Sequence, residues 1–265
     1  MTVIPADLVR QLRELTGAGL MDCKRALQEA EGDLEAAVKL LRERGIAQAA
    51  KRAGRETTEG IVISTIAGNV GAMVAVGCET EPVSKNEEFL RFAERVLEAA
   101  ESTYLQERID ELEQERTELI ARIGENIVVR GAVCFEATDG EGLAEYVHPP
   151  ASKIGVLVKF RGGTPQLARQ LAMHISFARP LYATRDEVPA DAVAAERDIL
   201  VKQPDVASKP EHVREKIVEG RLEKWFAESV LADQEWIHDT SKKVAGALAE
   251  EGLEVLEFQR FALAE

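Results

Sequence analysis

Cysteine, histidine and acidic side chains are the groups in this sequence that could do chemistry, and their spacing favours none of the common catalytic sites. Cys23 lies beside Lys24, which would lower the pKa of the thiol slightly, but no paired histidine base is evident. Glu79 and Glu81 carry no partner signature of acid–base catalysis, and no glycine-rich phosphate loop is present. The histidines lie too far apart for a metal-ligand motif: His148, His174, His212 and His238. These patterns predict a binding protein with no catalytic residue, metal or cofactor of its own.

The stretch at residues 77–86 is the main candidate for a contact site. It reads Gly-Cys-Glu-Thr-Glu-Pro-Val-Ser-Lys-Asn, and it lies between an apolar, strand-like run and a helix-like run. Polar residues and a proline between a strand and a helix predict a short protruding turn. Such turns on a rigid scaffold often carry a contact or catalytic group.

Composition narrows the class of protein. The chain has 265 residues, enough for about two or three compact units. Its net charge of −14 would repel phosphate backbones, so no direct nucleic-acid binding is expected. The first seven residues do not resemble a signal peptide, and residues 70–78 are too short an apolar run to span a bilayer. Three scattered cysteines imply no disulfide framework, so the sequence predicts a soluble protein of the reducing cytoplasm, without membrane contact.

Three short helices are predicted in the first 45 residues. Gly17 and Gly19 would break the chain after the first helix, Asp33 would cap the third, and Gly45 would end it. Residues 46–55 are expected to form a helical linker. Because three short helices enclose only a small core, this module is expected to pack against another part of the protein.

Strands and helices mix in the remainder of the chain. A hairpin, two helices and a strand are predicted at residues 60–66, 70–78, 87–100, 104–123 and 127–137. A turn at 139–142 is expected to fold the strand at 143–148 back, and Arg130-Gly131 is expected to mark a bulge. Further strands and helices are predicted at 154–160, 164–177, 240–250 and 254–262.

An internal repeat and a helical hairpin are also predicted. Residues 69–76 and 153–160 share a pattern of small and apolar residues, each followed by a turn and a helix. Two related strand–hairpin–helix units would explain this similarity. Two helices at 188–201 and 210–226, with a proline-marked loop between them, are expected to project as an antiparallel hairpin.

Residues 16–27 closely resemble the N-terminal signature of the translation elongation factor Ts family. They read Thr-Gly-Ala-Gly-Leu-Met-Asp-Cys-Lys-Arg-Ala-Leu, and the similarity covers nearly the whole chain. The resemblance implies an α+β fold with a three-helix, ubiquitin-associated-like domain at 1–54. It further implies two related core subdomains with antiparallel sheets, at 55–140 and 141–265, and a coiled-coil hairpin at about 188–226. The other matching segments are Gly32-Asp33, residues 49–54, Cys78-Glu79-Thr80 with Val83 and Lys85, residues 153–158, residues 172–174 with Pro180, and residues 218–221.

Members of that family are guanine-nucleotide exchange factors for elongation factor Tu, and they act by binding rather than by catalysis. The resemblance implies that this chain binds the GDP-bound and nucleotide-free states of that GTPase. Residues 80–83, which are Thr80, Glu81, Pro82 and Val83, would disturb the Mg²⁺ site. In some members the hairpin helps to pair subunits or assemblies.

Two other contacts with elongation factor Tu follow from the resemblance. Leu20 and Met21 would pack on a helix of the GTP-binding domain, and Met173 with His174 would face another domain. From the residues alone, one of Leu20 and Met21 is expected to face the core of the helical module. A helical histidine such as His174 is by default a hydrogen-bonded core residue.

Glu81 and Pro82 depart from the family pattern, which usually has aspartate followed by phenylalanine. Glu81 keeps a carboxylate, whereas Pro82 replaces an aromatic ring with a small ring of fixed φ. We therefore expect exchange to depend less on a wedged ring and more on the remaining docking surface. Longer members also continue beyond the position of Glu265, so contacts from that extension are not expected here.

Two other classes of function remain open on the residues alone. A helical adaptor could use residues 1–45 to bind ubiquitin-like or nascent-chain partners, although the repeated core would then be unexplained. A cysteine enzyme would require Cys23, Cys78 or Cys134 to lie beside a histidine base.

Overall fold

The computed structural model describes residues 4–102 and 105–263. In it, a helical N-terminal module is followed by two antiparallel sheets, and helices cover each sheet. This mixture confirms the predicted α+β class. In chain order the helices are α1 (Ala6–Thr16), α2 (Leu20–Glu29), α3 (Leu34–Arg52), α4 (Glu81–Ser84), α5 (Glu87–Ala100), α6 (Leu105–Asp110), α7 (Glu113–Ile123), α8 (Pro165–Ala178), α9 (Ala190–Lys202), α10 (Pro204–Ala207), α11 (Glu211–Ser229) and α12 (Val244–Glu250). The strands are β1 (Glu59–Ala67), β2 (Val70–Cys78), β3 (Ile127–Glu136), β4 (Glu141–Val147), β5 (Ile154–Arg161) and β6 (Glu254–Ala262).

The first three helices pack around a small core of their own. Gly17 adopts a left-handed conformation (φ +63°) at the C-terminus of α1, as the predicted glycine break requires. The Asp33 carboxylate accepts a hydrogen bond from the Ala36 backbone N–H (3.0 Å), which confirms the predicted cap of α3. The fully buried residues of this core are Leu12, Cys23, Ala26, Leu27 and Ala37.

The prediction that Gly45 ends the third helix is wrong. The α3 helix continues through Gly45 to Arg52, so it includes most of the expected linker. Gly45 is buried, and a Cβ atom there would lie 3.3 Å from the Ala121 side chain on α7. Its small size therefore allows α3 to approach α7, and the module rests on the helices of the first sheet.

The first sheet has the order β1–β2–β3, with β2 at its centre. The register between β2 and β3 shifts between Ala75 and Val76, which leaves Arg130 as the bulged residue. This confirms the bulge predicted at Arg130-Gly131. The α5 and α7 helices cover the sheet with buried side chains that include Phe89, Phe92, Val96, Leu119 and Ile120.

The second sheet has the order β4–β5–β6, so the predicted pairing of the 143–148 strand with the strand before it is wrong. The β4 strand pairs with β5, and residues 137–140 connect one sheet to the other. A continuation of the first hairpin was the simplest expectation from the turn residues. The apolar faces of β4 and β5 instead pack against α8, which lies on this sheet.

The two sheets pack face to face. Met73 and Ala75 of β2 point towards the second sheet, whereas Val74 and Val76 between them point towards α5. Burial on both faces explains why residues 70–78 are almost continuously apolar instead of alternating with polar residues. The buried residues between the sheets are Val62, Met73, Ala75, Phe135, Leu157 and Leu263.

The two sheets repeat one design. Each has its second strand at the centre, followed by helices, and is completed by a strand from much later in the chain. In the second sheet the register shifts between Lys159 and Phe160, which are the positions equivalent to Ala75 and Val76 in the predicted repeat. A shared bulge position supports the internal repeat more strongly than the residue pattern alone.

Two predicted helices are shorter than expected. The segment at 104–123 is interrupted, because α6 ends at Asp110 and Leu112 turns into the core of the first sheet before α7 begins. Tyr104 lies outside the described residues. The helix expected at 240–250 begins at Val244, after a turn in which Glu235 and Lys243 form an isolated bridge.

The α9 and α11 helices form an antiparallel hairpin. The connecting loop contains the short helix α10, and an ion pair of 2.7 Å joins Arg197 to Glu219. The side chains buried between the helices are Leu200, Val206, Val218 and Leu222. Among the described residues, no helix combines the length and apolar character needed to cross a membrane.

Gly155 should be essential to the contact between the sheets. A Cβ atom there would lie 2.5 Å from Val62 Cγ1 and 2.9 Å from Met73 Sδ, so Gly155→Ala should force the sheets apart. We expect a loss of about 1–3 kcal/mol in the free energy of unfolding, measured by urea denaturation. Gly246→Ala is the matched control, because its Cβ would meet no atom within 4 Å on the exposed face of α12. Equal unfolding midpoints for the two variants would contradict the role given to Gly155.

Candidate functional site

Residues 80–83 form a corner between the end of β2 and the start of α5. The predicted turn is in fact a short helical turn, α4, which begins at Glu81. Thr80, Glu81 and Pro82 are exposed, whereas Val83 is half-buried against the core of the first sheet. The Asn86 side chain accepts a hydrogen bond from the Glu88 N–H (2.8 Å) and so caps α5 directly after the corner. The 80–83 corner therefore protrudes from two rigid elements.

The base of the corner is fixed by the loop between α7 and β3. The Thr80 backbone N–H donates to one Glu125 carboxylate oxygen (3.0 Å), and its hydroxyl donates to the other (2.6 Å). The Glu79 carboxylate accepts from the Asn126 backbone N–H (2.6 Å) and from the Arg55 guanidinium (3.3 Å). Sequence inspection did not identify Glu125, because it lies 45 residues from Thr80 and has no distinctive local motif.

The corner carries an ion pair between Glu81 and Lys85. Lys85 Nζ donates to the Glu81 carboxylate (2.7 Å), and this hydrogen bond, with the positive charge of Lys85, lowers the pKa of Glu81. The carboxylate is therefore ionised at neutral pH. Within residues 4–102 and 105–263, no group of three or more histidine, cysteine or acidic residues could hold a metal ion.

Leu20 and Met21 lie in the first turn of α2, and both are exposed. The exposed fraction is 49% for Leu20 and 62% for Met21, so the expectation that one of them faces the module's core is wrong. Cys23 and Ala26 fill that side of α2. Leu15, at the end of α1, is 63% exposed and adds a third apolar side chain that the sequence did not single out.

The loop that precedes Leu20 also contacts the helices next to the corner. A Cβ atom on Gly17 would lie 2.6 Å from Arg122 Cδ on α7, so the loop crosses directly over this arginine. Arg122 in turn donates to Glu88 in the first turn of α5 (2.8 Å). The structure therefore brings Leu20, Met21 and the 80–83 corner to the same end of the first sheet's helices.

Met173 and His174 lie on α8, which covers the second sheet. Met173 is partly exposed, but the His174 side chain is fully buried and stacks on Trp236, with ring centroids 5.2 Å apart. The Ile237 N–H donates to Nδ1 (3.3 Å), so the proton lies on Nε2, which donates to Gln234 Oε1 (2.9 Å). In this structure His174 is the hydrogen-bonded core residue that the default interpretation described.

The cysteines have the properties of packing residues. Burial raises the pKa of the Cys78 thiol to about 12, and it also raises the pKa of Cys23 and Cys134. The Cys78 thiol donates to the Thr80 carbonyl (3.3 Å), and the Cys23 thiol contacts the Ala18 carbonyl (3.6 Å). Thiols with raised pKa values are poor nucleophiles at neutral pH.

Comparison with known proteins gives the family. A family model described as elongation factor Ts matches residues 79–265. Elongation factor Ts of Aeromonas hydrophila is 40% identical to this chain over 276 aligned residues, which cover 100% of this chain and 92% of that protein. The elongation factor Ts proteins of Alkalilimnicola ehrlichii and Cronobacter sakazakii are also 40% identical, and the alignments cover 99% and 100% of this chain and 92% and 93% of those proteins.

The chain belongs to the elongation factor Ts family.

Family membership confirms the resemblance seen in the sequence and places the chain among proteins of translation elongation. In this member of the family, the exposed corner carries Glu81 and Pro82.

The stability of this family member should depend on the protonation of His174. Burial lowers the pKa of His174 below its ordinary value of 6.5, because the charged ring loses its hydration and Nδ1 could no longer accept from Ile237. The stabilisation is therefore complete above pH 6.5 and is lost as the pH falls through the folded-state pKa. We expect the free energy of unfolding in urea to be lower at pH 5.5 than at pH 7.5 through this group, by no more than about 1.4 kcal/mol.

The matched variants are His174→Gln and His212→Gln, the second on the exposed side of α11. His174→Gln should be less stable at pH 7.5 and should lose this part of the pH dependence, whereas His212→Gln should retain it. Identical pH dependence in both variants would contradict the prediction.

Proposed function

We propose that this chain is a guanine-nucleotide exchange factor for elongation factor Tu. It would bind the GDP-bound GTPase, disturb the Mg²⁺ and phosphate site, and hold the nucleotide-free state until GTP binds. Exchange of this kind requires no catalytic group on the factor, and the raised pKa values of the three thiols agree with a role in binding. Because translation elongation takes place where ribosomes are, the proposal also places the chain in the cytoplasm.

One observation carries the proposal beyond family membership. The rigid 80–83 corner and the exposed side chains of Leu20 and Met21 lie at the same end of the first sheet's helices. A single partner surface could therefore contact both groups. The apolar pair would supply affinity through buried area, and the corner would reach the nucleotide site of the GTPase.

The mechanism is a difference in binding affinity between two states of the partner. A GTPase holds GDP through phosphate contacts and a bridging Mg²⁺, so the factor must bind more tightly when those contacts are loosened. It can accelerate release only by the difference between the two affinities. In this proposal, the ionised Glu81 carboxylate and the Pro82 ring would contact the partner near Mg²⁺, and Val83 would anchor the corner to the core.

The second subdomain would supply a further contact. We assign that contact to Met173, which is partly exposed, and a positioning role to His174, whose ring holds α8 against the segment around Trp236. We also propose the domain organisation that the family implies, with an N-terminal, ubiquitin-associated-like domain at 1–54 and core subdomains at 55–140 and 141–265.

We propose in addition that the hairpin at about 188–226, as a coiled coil, serves self-association or partner contacts. The charge of −14 agrees with an absence of direct nucleic-acid contacts.

Release of a fluorescent GDP from elongation factor Tu tests the proposal directly. Rapid mixing with increasing amounts of this chain should give a release rate that rises to a plateau. Met21→Asp should raise the half-saturating concentration about tenfold or more, because a charge would enter an apolar contact. Ile46→Asp is the control, since Ile46 is a similarly exposed apolar residue (55%) on α3.

Two outcomes of this experiment would contradict the proposal. Release that is no faster with micromolar wild-type protein would exclude an exchange factor for this GTPase. Loss of an activity on replacement of Cys23, Cys78 and Cys134 together, in a variant that still folds, would favour the cysteine enzyme instead.

Pro82 should contribute stiffness to the corner and not a wedged ring. Pro82→Ala frees φ at this position, and an entropic cost of about 0.4–1 kcal/mol should lower the plateau by about two- to fivefold. Pro82→Phe also frees φ at this position, so it should not raise the plateau rate of GDP release and should lower it about as much as Pro82→Ala does. A large rise in rate for Pro82→Phe would show that an aromatic wedge is the missing element.

A further inference from the structure

We propose that Glu125 is a positioning residue for exchange, acting through the 80–83 corner that it holds. The inference rests on the proposed exchange function and assigns a role to a residue outside the corner. Glu125 lies between α7 and β3, and its carboxylate accepts both hydrogen bonds that Thr80 donates.

The geometry is a reciprocal clamp between two chain segments. The Glu125 carboxylate binds the backbone N–H of Thr80, and the Glu79 carboxylate binds the backbone N–H of Asn126. Each segment thus supplies one carboxylate, and a backbone N–H of each segment donates to the carboxylate of the other. Two such bonds fix both the position and the direction of the chain as it leaves β2, whereas a single side-chain contact would allow rotation.

The buried Asn126 side chain and the exposed Arg55 support the clamp. Asn126 is 1% exposed, and its Nδ2 donates to the Arg55 carbonyl (2.9 Å), while the Arg55 guanidinium pairs with Glu79 (3.3 Å). Arg55 lies between α3 and β1, so three separate parts of the chain meet at the base of the corner. The backbone becomes helical directly after Thr80, whose carbonyl accepts from the Val83 N–H (3.1 Å) and the Ser84 N–H (3.2 Å).

This rigidity matters because the corner must displace groups on a partner. If the corner could yield, binding would distort the factor, and the contacts around the partner's Mg²⁺ would stay in place. Interactions that improve only in the nucleotide-free complex accelerate release, whereas interactions equal in both complexes change affinity alone. Glu125 does not have to touch the partner to serve this purpose, because it acts through Thr80.

Two simpler roles for Glu125 predict different results. If Glu125 were itself a docking contact, its removal would raise the half-saturating concentration and leave the plateau unchanged. If it only stabilised the fold, its removal would lower the unfolding midpoint and leave the exchange by the folded fraction unchanged. A positioning role predicts a lower plateau with little change in half-saturation.

The experiment measures GDP release from elongation factor Tu as a function of the concentration of the full chain. The variants are Glu125→Ala, Glu125→Gln and the control Glu94→Ala, which removes the same charge from the exposed face of α5. Glu125→Ala should lower the plateau about tenfold, since two charge-assisted hydrogen bonds are lost, and should shift half-saturation by less than about threefold. Glu125→Gln keeps one acceptor oxygen for Thr80, so its plateau should lie only about two- to threefold below that of wild type.

The outcomes separate this inference from the proposed function. A wild-type chain that fails to accelerate release overturns the exchange function, and the role of Glu125 falls with it. An active wild type with a Glu125→Ala plateau within twofold overturns the positioning role alone, as does a Glu125→Gln variant no better than alanine. If Glu125→Ala does not fold, the Glu125→Gln plateau decides: a plateau about two- to threefold below wild type supports the role, and any other value overturns it.

Discussion

Alternate side chains of β2 enter two different cores, and the positions of the other elements depend on this arrangement. Met73 and Ala75 pack between the sheets, while Val74 and Val76 pack under the helices of the first sheet. The sheets can approach this closely because glycines lie where they meet, such as Gly155 against Val62 and Gly131 against Phe261. A strand buried on both faces has little freedom to shift, since a slip of one residue would exchange the two sets of side chains.

The candidate site uses that fixed strand as its support. The corner begins directly where β2 ends, so the position of Thr80 follows from the sheet and from the Glu125 clamp. Leu20 and Met21 belong to a module with a small core, yet α3 rests on α7 and the α1–α2 loop crosses Arg122. An exchange factor that acts by differential binding needs both groups at defined relative positions. The packing of helices on the first sheet supplies those positions.

Some parts of the site were predictable and others were not, for physical reasons. The corner was predictable because a strand-like run, a proline and a following helix-like run are local signals. The exposure of both Leu20 and Met21 could not be predicted, because the order of residues on a helix does not show which of its faces the neighbouring helices cover. The default interpretation of His174 describes this structure, but its partners Gln234 and Ile237 come from a segment about 60 residues away.

The sequence by itself determined the strands, most helix boundaries, the internal repeat and the family, because periodicity, caps and motifs are properties of short segments. Tertiary structure decided which strands share a sheet, that Gly45 allows α3 to pack closely on α7, and which contacts hold the corner. Gly45 has the residue type of a helix end but serves close packing against Ala121, and β4 leaves the first sheet to pair with β5. Glu125 acquires its role only when folding brings it to Thr80. Contacts between distant segments are decided by the burial of whole faces, and a local pattern holds no record of which faces will meet.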